Sequence, residues 1–225
     1  MTARESVPAA PGRSADFCPT VAVIVAILTV HDGELQVLLV CRSAEPFRGL
    51  WSLPGGVLAR DQSLDEAATH KLRRETGVSD VYLEQLYTFH DLDGRDSVAV
   101  AYFALVDSRQ AELAHRRTWR PAWFPVAGLP PLAFDNTRVI DYALQRLRAK
   151  LVYSNVAYSV LPRYFTLSQL QRVYEAILSH PLDKRNFRKR MLSLDIIEPT
   201  GRTGAEGAHR PAQLYAFRER RPVIF

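Results

Sequence analysis

The sequence predicts an α+β protein in two folded parts: a body of strands and helices, then a winged helix-turn-helix. Three observations predict it. β-rich runs come in pairs around Asp-Gly turns, a helix with both ends marked lies between the pairs, and the last third reads helix, turn, helix, hairpin.

Residues 1–17 are rich in Pro, Ala and Ser, lack periodicity and contain no apolar signal-peptide core, so they read as a flexible tail. Residues 20–30 and 34–41 are β-rich and separated by His31, Asp32 and Gly33, where Asp-Gly favours a hairpin turn. Residues 82–89 and 97–106 repeat that pattern around Asp93 and Gly94. Between the pairs, Ser63 and Glu66 have capping-box spacing and Gly77 stands where a helix closes in a left-handed residue. A second helix is expected over about 135–151, with Val139, Ile140, Ala143, Leu144, Leu147 and Leu151 on one stripe.

Thr166 and Gln169 form another capping box, opening a helix with Leu167, Leu170, Val173, Tyr174, Ile177 and Leu178 on its apolar face; His180 and Pro181 stop it. Asp183 can cap a short helix over 184–194, and β segments 195–199 and 213–217 flank a loop rich in Gly and Arg. The expected division is a tail at 1–17, a body at 18–151 and a winged helix at 152–225.

With 47% hydrophobic and 24% charged residues among 225, the composition is that of an ordinary globular protein. Cys18 and Cys41 make neither a disulfide framework nor a structural zinc site. The strongest apolar run, 21–30, is about half the length of a membrane span. A cytoplasmic protein without a membrane segment is therefore expected.

The net charge of +5 divides unevenly: residues 1–150 hold 17 Lys and Arg against 18 Asp and Glu, whereas 151–225 hold 12 against 6. In the short helix, Phe187, Met191 and Leu194 have core spacing, and Lys184, Arg185, Asn186, Arg188, Lys189 and Arg190 cover the remainder. Such a face suits a DNA major groove, and Arg202 and Arg210 in the hairpin suit the backbone or a minor groove. A solvated basic helix is the other reading. The DNA reading carries with it a homodimer on a palindromic double-stranded site.

At roughly 100° per residue, Leu64, Ala67, Ala68 and Leu72 define the buried face of the first helix, with Lys71 and Glu75 near its middle and Arg74 one step around. Either Lys71 and Glu75 satisfy each other as an i, i+4 pair, or this end of the helix borders a polar cavity.

The stretch from Leu53, Pro54, Gly55 and Gly56 through Val78 resembles the Nudix signature, with Gly56, Leu72, Gly77 and Val78 in its Gly and apolar positions. Its charged positions depart: Gln62, His70, Lys71 and Arg74 replace consensus charges, and Glu75 remains. The resemblance implies a Nudix α/β/α sandwich with a mixed sheet. In active members those carboxylates hold a magnesium-type cation; here cations stand in their place. No catalytic or metal residue and no cofactor is expected, and hydrolysis is not. Lys71 and Arg74 are suited instead to neutralise a diphosphate directly. The candidate ligand site is Gly56, Lys71, Arg74 and Glu75, with Arg42, Phe47, Trp51 and Arg95 as phosphate or stacking groups. Phe47 and Trp51 equally suit the core, and Arg42 a pair with Glu45.

Continued through Phe165-Thr-Leu-Ser-Gln-Leu-Gln, Leu182-Asp-Lys-Arg-Asn-Phe-Arg and Arg210-Pro-Ala-Gln-Leu-Tyr, residues 20–217 are similar to the NrtR family of Nudix-related regulators of NAD metabolism. The resemblance implies a dimeric repressor of NAD synthesis or salvage genes that releases DNA on binding ADP-ribose. Two other readings stay open: a pyrophosphatase acting on ADP-ribose or a nucleoside diphosphate, and a regulator that answers to a sugar.

Overall fold

The structure, a computed structural model, describes residues 19–79, 82–90, 92, 97–113, 120–204 and 211–225. The expected tail, the Asp93-Gly94 turn, Arg95 and Arg210 lie outside the described residues.

Alternation along the strands sorts the core into two layers. In β1 (Val21–His31), Val23, Val25 and Ile27 join one apolar cluster, while Ala26 and Leu28 join another on the opposite face. β2 (Glu34–Cys41), β3 (Trp51–Ser52), β4 (Gly55–Val57), β5 (Tyr82–His90), β6 (Val98–Leu105) and β7 (Arg120–Pro125) complete the sheet, in the order β3-β2-β1-β6-β5 with β4 on β1 and β7 on β2. β1 runs parallel to β6 and antiparallel to β2 and β4, so the sheet is mixed. The β1–β2 hairpin turns through Asp32 (φ 49°) and Gly33 (φ 80°), the two left-handed residues that a type I′ turn demands.

β3, β4 and β7 were not foreseen. The first two are too short to show a period, and β7 is bracketed by Pro121 and Pro125, which lower strand propensity.

α1 (Leu64–Thr76) starts in a complete capping box of Ser63 and Glu66 and ends at left-handed Gly77, as its sequence predicts. Ala68 and Leu72 pack against Val23, Val25 and Ile27. α2 (Asn136–Tyr153) covers the other face with Val139, Ile140, Ala143, Leu147 and Leu151, and runs two residues beyond its expected end. The body is thus an α/β/α sandwich.

Beyond α2, a 3₁₀ turn (Val156–Ser159) leads to α3 (Leu167–Leu178), α4 (Lys184–Ser193) and the antiparallel hairpin β8 (Ile197–Gly204) and β9 (Ala212–Phe217). β8 begins two residues later than expected, because Asp195 turns the chain out of α4 at φ 55°. The turn between α3 and α4 is held by side chains. Glu175 accepts from Leu182 N (2.8 Å) and Gln171 Nε2 (2.9 Å), and Gln171 Nε2 also donates to Leu182 O (2.9 Å). Among the described residues, no helix is long and apolar enough to cross a membrane.

Phe165, Leu170, Ile177, Phe187, Met191 and Phe217 of the winged helix belong to the same apolar cluster as α2 and the inner sheet face. A shared core predicts a single unfolding transition. Phe165→Ala should lower stability by about 3–5 kcal/mol. All three tryptophans, 51, 119 and 123, precede α2 in the sequence, so urea midpoints from tryptophan fluorescence and from helical circular dichroism should fall together; separate midpoints would show that the halves unfold independently.

Candidate functional site

A cavity of about 330 Å³ opens on the α2 face of the sheet, within the usual range for small-molecule sites. Ala22 and Ile24 of β1, Ala99 of β6 and Val40 of β2 line it along the sheet, β4 forms one rim, and Phe134 and Asn136 close it where the chain enters α2. Gly55 is required there: a Cβ would lie 2.6 Å from Ile24 Cγ2, so only glycine lets β4 rest on β1. Asn136 is 3% exposed, and its Oδ1 accepts from Leu53 N at 2.7 Å. Among the described residues its amide hydrogens meet no acceptor, which leaves them for another partner.

Arg42 lines the same space, its Cζ 4.6 Å from the centroid of Phe134 and its Nε donating to Pro46 O at 2.9 Å. Burial lowers the guanidinium pKa, partly offset by the charge of Glu45. Phe47 meets Phe134 edge-on at 5.0 Å, is itself exposed and does not line the cavity. Trp51 instead packs on Phe124 at 4.6 Å, as a core residue does.

The charged end of α1 approaches from the other face. Gly55 pairs with Ile24, whose side chain lines the cavity, but Gly56 pairs with Val23, which belongs to the α1 cluster. A methyl group at Gly56 would meet Lys71 Nζ at 3.7 Å. Lys71 therefore stands across β4 from the cavity, with the Gly56 rim as common neighbour. Burial lowers its pKa, Glu75 opposes that shift and Arg74 adds to it. Glu75 is 0% exposed, which fits the i, i+4 pair, whereas Arg74 and His70 are exposed. The structure thus brings Arg42 and Gly56 to the cavity and Lys71 to its rim. It does not bring Arg74 or Glu75 to the cavity wall, because α1 covers the opposite face of the sheet, nor Trp51, which is turned onto Phe124.

The magnesium site of active Nudix proteins does not fit these residues. Glu66 is committed to the capping box with Ser63, Asp65 accepts from Tyr102 Oη at 2.5 Å, and Glu75 is buried beside the Lys71 ammonium. Among the described residues, no three His, Cys, Asp or Glu side chains gather as a metal site. A hard divalent cation needs several oxygen ligands, and a neighbouring ammonium repels it.

In the winged helix, Phe187 and Met191 are buried and turn Lys184, Arg185, Asn186 and Lys189 to solvent. Asp183 caps α4, accepting from Asn186 N at 2.8 Å. Arg188 departs from the expectation: it is partly buried and its Nη2 reaches Ser168 Oγ of α3 at 3.4 Å, since its position flanks Phe187. Arg202 is exposed, its Cζ 5.2 Å from the Tyr164 ring, and Arg163 flanks that ring at 5.5 Å.

Phe134 and Asn136 were missed. The only signal was a helix N-terminus read as an element boundary, and the left-handed φ of Phe134 (55°), which aims its ring, leaves no mark in the sequence.

Residues 19–143 match the NUDIX domain family and residues 157–217 the NrtR DNA-binding winged helix domain. The chain is 38% identical over 206 residues to the ADPR responsive transcriptional repressor NtrR of Acinetobacter baylyi, covering 88% of this chain and 82% of that protein. It is similar to Shewanella oneidensis NrtR in complex with a 27mer DNA, with TM-score 0.78 and 38% identity over 88% of this chain and 93% of that one. The NUDIX domain of Shewanella oneidensis NrtR complexed with ADP ribose matches with TM-score 0.53 and 36% identity, covering 61% of this chain and 94% of that one. An α/β/α body whose Nudix helix carries cations, joined through one core to a basic winged helix, thus has relatives along nearly its whole length, and the chain belongs to the NrtR family.

Proposed function

We propose that the protein is a transcriptional repressor of NAD synthesis or salvage genes that binds a palindromic operator as a homodimer, in the cytoplasm, and is released by ADP-ribose. The observation that carries it is the basic outward face of α4 in a winged helix that shares one core with a Nudix-type cavity. Repressor action, DNA and ADP-ribose come from the relatives named above.

ADP-ribose fits as a ligand that straddles β4. A ring and ribose would occupy the cavity, with Phe134 under Arg42 as a flat cationic wall and the Asn136 amide as donor. The diphosphate would cross the Gly55-Gly56 rim toward Lys71, which supplies without a metal the positive charge that family enzymes take from one. Trp51 would act through packing alone. Arg74 would contribute only through the field, and Arg95 remains a candidate phosphate group. The body would sense and the segment from 152 onward would bind DNA.

The competing reading is a pyrophosphatase whose basic face serves another polyanion. The misfit between the α1 carboxylates and magnesium favours the sensor. Calorimetry should give the same ADP-ribose affinity with magnesium and with EDTA, and no AMP should form over many hours; metal-dependent turnover would overturn the sensor reading.

The pH response has a defined sign. A diphosphate favours the Lys71 ammonium, so binding is full below the lowered Lys71 pKa and is lost as pH rises through it. Affinity for ADP-ribose should therefore fall between neutral pH and 10.5, the ordinary lysine value. Lys71→Arg, which stays protonated, should flatten that fall; an unchanged slope would remove Lys71 from the site.

On DNA, the logarithm of affinity should fall with the logarithm of salt by roughly 0.9 per neutralised phosphate. Arg185→Ala and Lys189→Ala should each cost about 1–3 kcal/mol if they read a base. Arg188→Ala should cost less, because its guanidinium is turned toward Ser168. Equal losses at all three positions in an anisotropy titration would contradict this orientation of α4.

A further inference from the structure

α2 touches the cavity at its beginning and the winged helix toward its end. Asn136, its first residue, lines the cavity, and its 18 residues span roughly 27 Å at 1.5 Å each. Near the far end, Arg148 Nε donates to Ile177 O (3.0 Å) and its Nη2 to Ser179 Oγ (3.2 Å). Those two residues close α3, and Ser179 is the left-handed residue (φ 60°) that starts the turn into α4.

Immediately beyond α2, Asn155 is 2% exposed and uses both ends of its amide on the segment that follows β9. Its Nδ2 donates to Glu219 O (2.9 Å) and Arg221 O (3.0 Å), and its Oδ1 accepts from Val223 N (2.9 Å). Its backbone N donates to Val223 O (3.1 Å). Arg220, between these anchors, donates to Tyr158 O (2.8 Å) and Leu161 O (3.0 Å). Both the end of α3 and the segment leaving the hairpin are thereby grounded on α2 near its end and on the residues just after it.

We propose that α2 transmits cavity occupancy to the winged helix, and that Arg148 and Asn155 are the positioning residues that fix α3 and the segment after β9 to its far end. The proposal rests on the reading of the protein as an ADP-ribose-released repressor. A ligand that engages the Asn136 amide acts on one end of a stiff helix; the other end holds the turn that orients α4. Coupling of this kind is a difference in ligand affinity between two arrangements, so it can be lost without losing either binding site. Arg148 suits the task through its fork, which grips a carbonyl and a hydroxyl together.

The test uses the full chain and a fluorescein-labelled duplex that the wild type selects from a random library. Anisotropy gives the DNA Kd with and without saturating ADP-ribose, and calorimetry gives ADP-ribose affinity without DNA. In the wild type, ADP-ribose should raise the DNA Kd about tenfold or more, within the usual range of allosteric coupling. In Arg148→Ala that ratio should shrink to about twofold or less while ADP-ribose affinity stays within about twofold of wild type. Arg148→Lys, which keeps the charge but loses the fork, should behave as Arg148→Ala. Asn155→Ala provides the second variant. Wild-type ratios in both alanine variants would overturn the proposal, as would a loss of ADP-ribose affinity in Arg148→Ala, which would mark the contact as support for the fold. A wild type that selects no duplex, or ignores ADP-ribose once bound, would overturn the functional reading itself.

Discussion

The constraint on which the molecule depends is that α2 must bury its apolar stripe on two partners at once. Val139, Ile140, Ala143, Leu147 and Leu151 belong to one cluster with the inner sheet face and with α3. Burying a Leu or Ile fully is worth about 1.5–3 kcal/mol, so neither partner can leave without exposing several such side chains. This ties the cavity-bearing body to the winged helix more firmly than a flexible linker would. Any rearrangement between them is then a small slide or tilt of packed helices. Polar contacts at the far end of α2 matter in that setting because they choose among arrangements that the apolar core alone would accept.

The exchange of charge on α1 obeys a similar logic. Glu75 is fully buried, and the Lys71 ammonium lies close enough to oppose the cost of its burial. Such pairs add little net stability, because desolvation consumes most of the Coulomb gain, yet removing one partner strands the other. The pair is therefore poorly explained as reinforcement of the fold. It holds a positive charge at the Gly56 rim, on the proposed path of the diphosphate.

Much of the architecture was legible because its signals are local. The two capping boxes, the Asp32-Gly33 turn and the Gly77 terminus each specify backbone geometry within a few residues, and each stands where the sequence puts it. Short or proline-flanked strands were not legible, since β3, β4 and β7 exist only through pairing with β1 and β2. The site shows the same division. Lys71 and Glu75 were placed correctly near one another by helical periodicity, but which face of the sheet carries the cavity depends on the Gly55–Ile24 and Gly56–Val23 register, which no spacing within α1 encodes. The basic helix shows the same division: five cations on one helix look alike until Phe187 and Met191 fix its rotation and set Arg188 toward α3.

Replacing a metal by side-chain cations also changes what the site can report. A hydrolase polarises the diphosphate so that water can attack it, and the product must leave. A repressor needs its effector intact for as long as the DNA is to stay free, so a site that cleaved ADP-ribose would erase its own signal at the rate of the chemistry. Ammonium and guanidinium groups satisfy the charge of a diphosphate but cannot generate the metal-bound hydroxide on which such hydrolysis relies. Reciprocity adds a further consequence: if ADP-ribose weakens DNA binding by some factor, DNA weakens ADP-ribose binding by the same factor. Under the proposed function, the effector threshold is set jointly by the cavity and the operator, and a tighter operator would demand more ADP-ribose to clear it. On that reading the response could be adjusted at each gene through the DNA sequence alone, leaving the cavity unchanged.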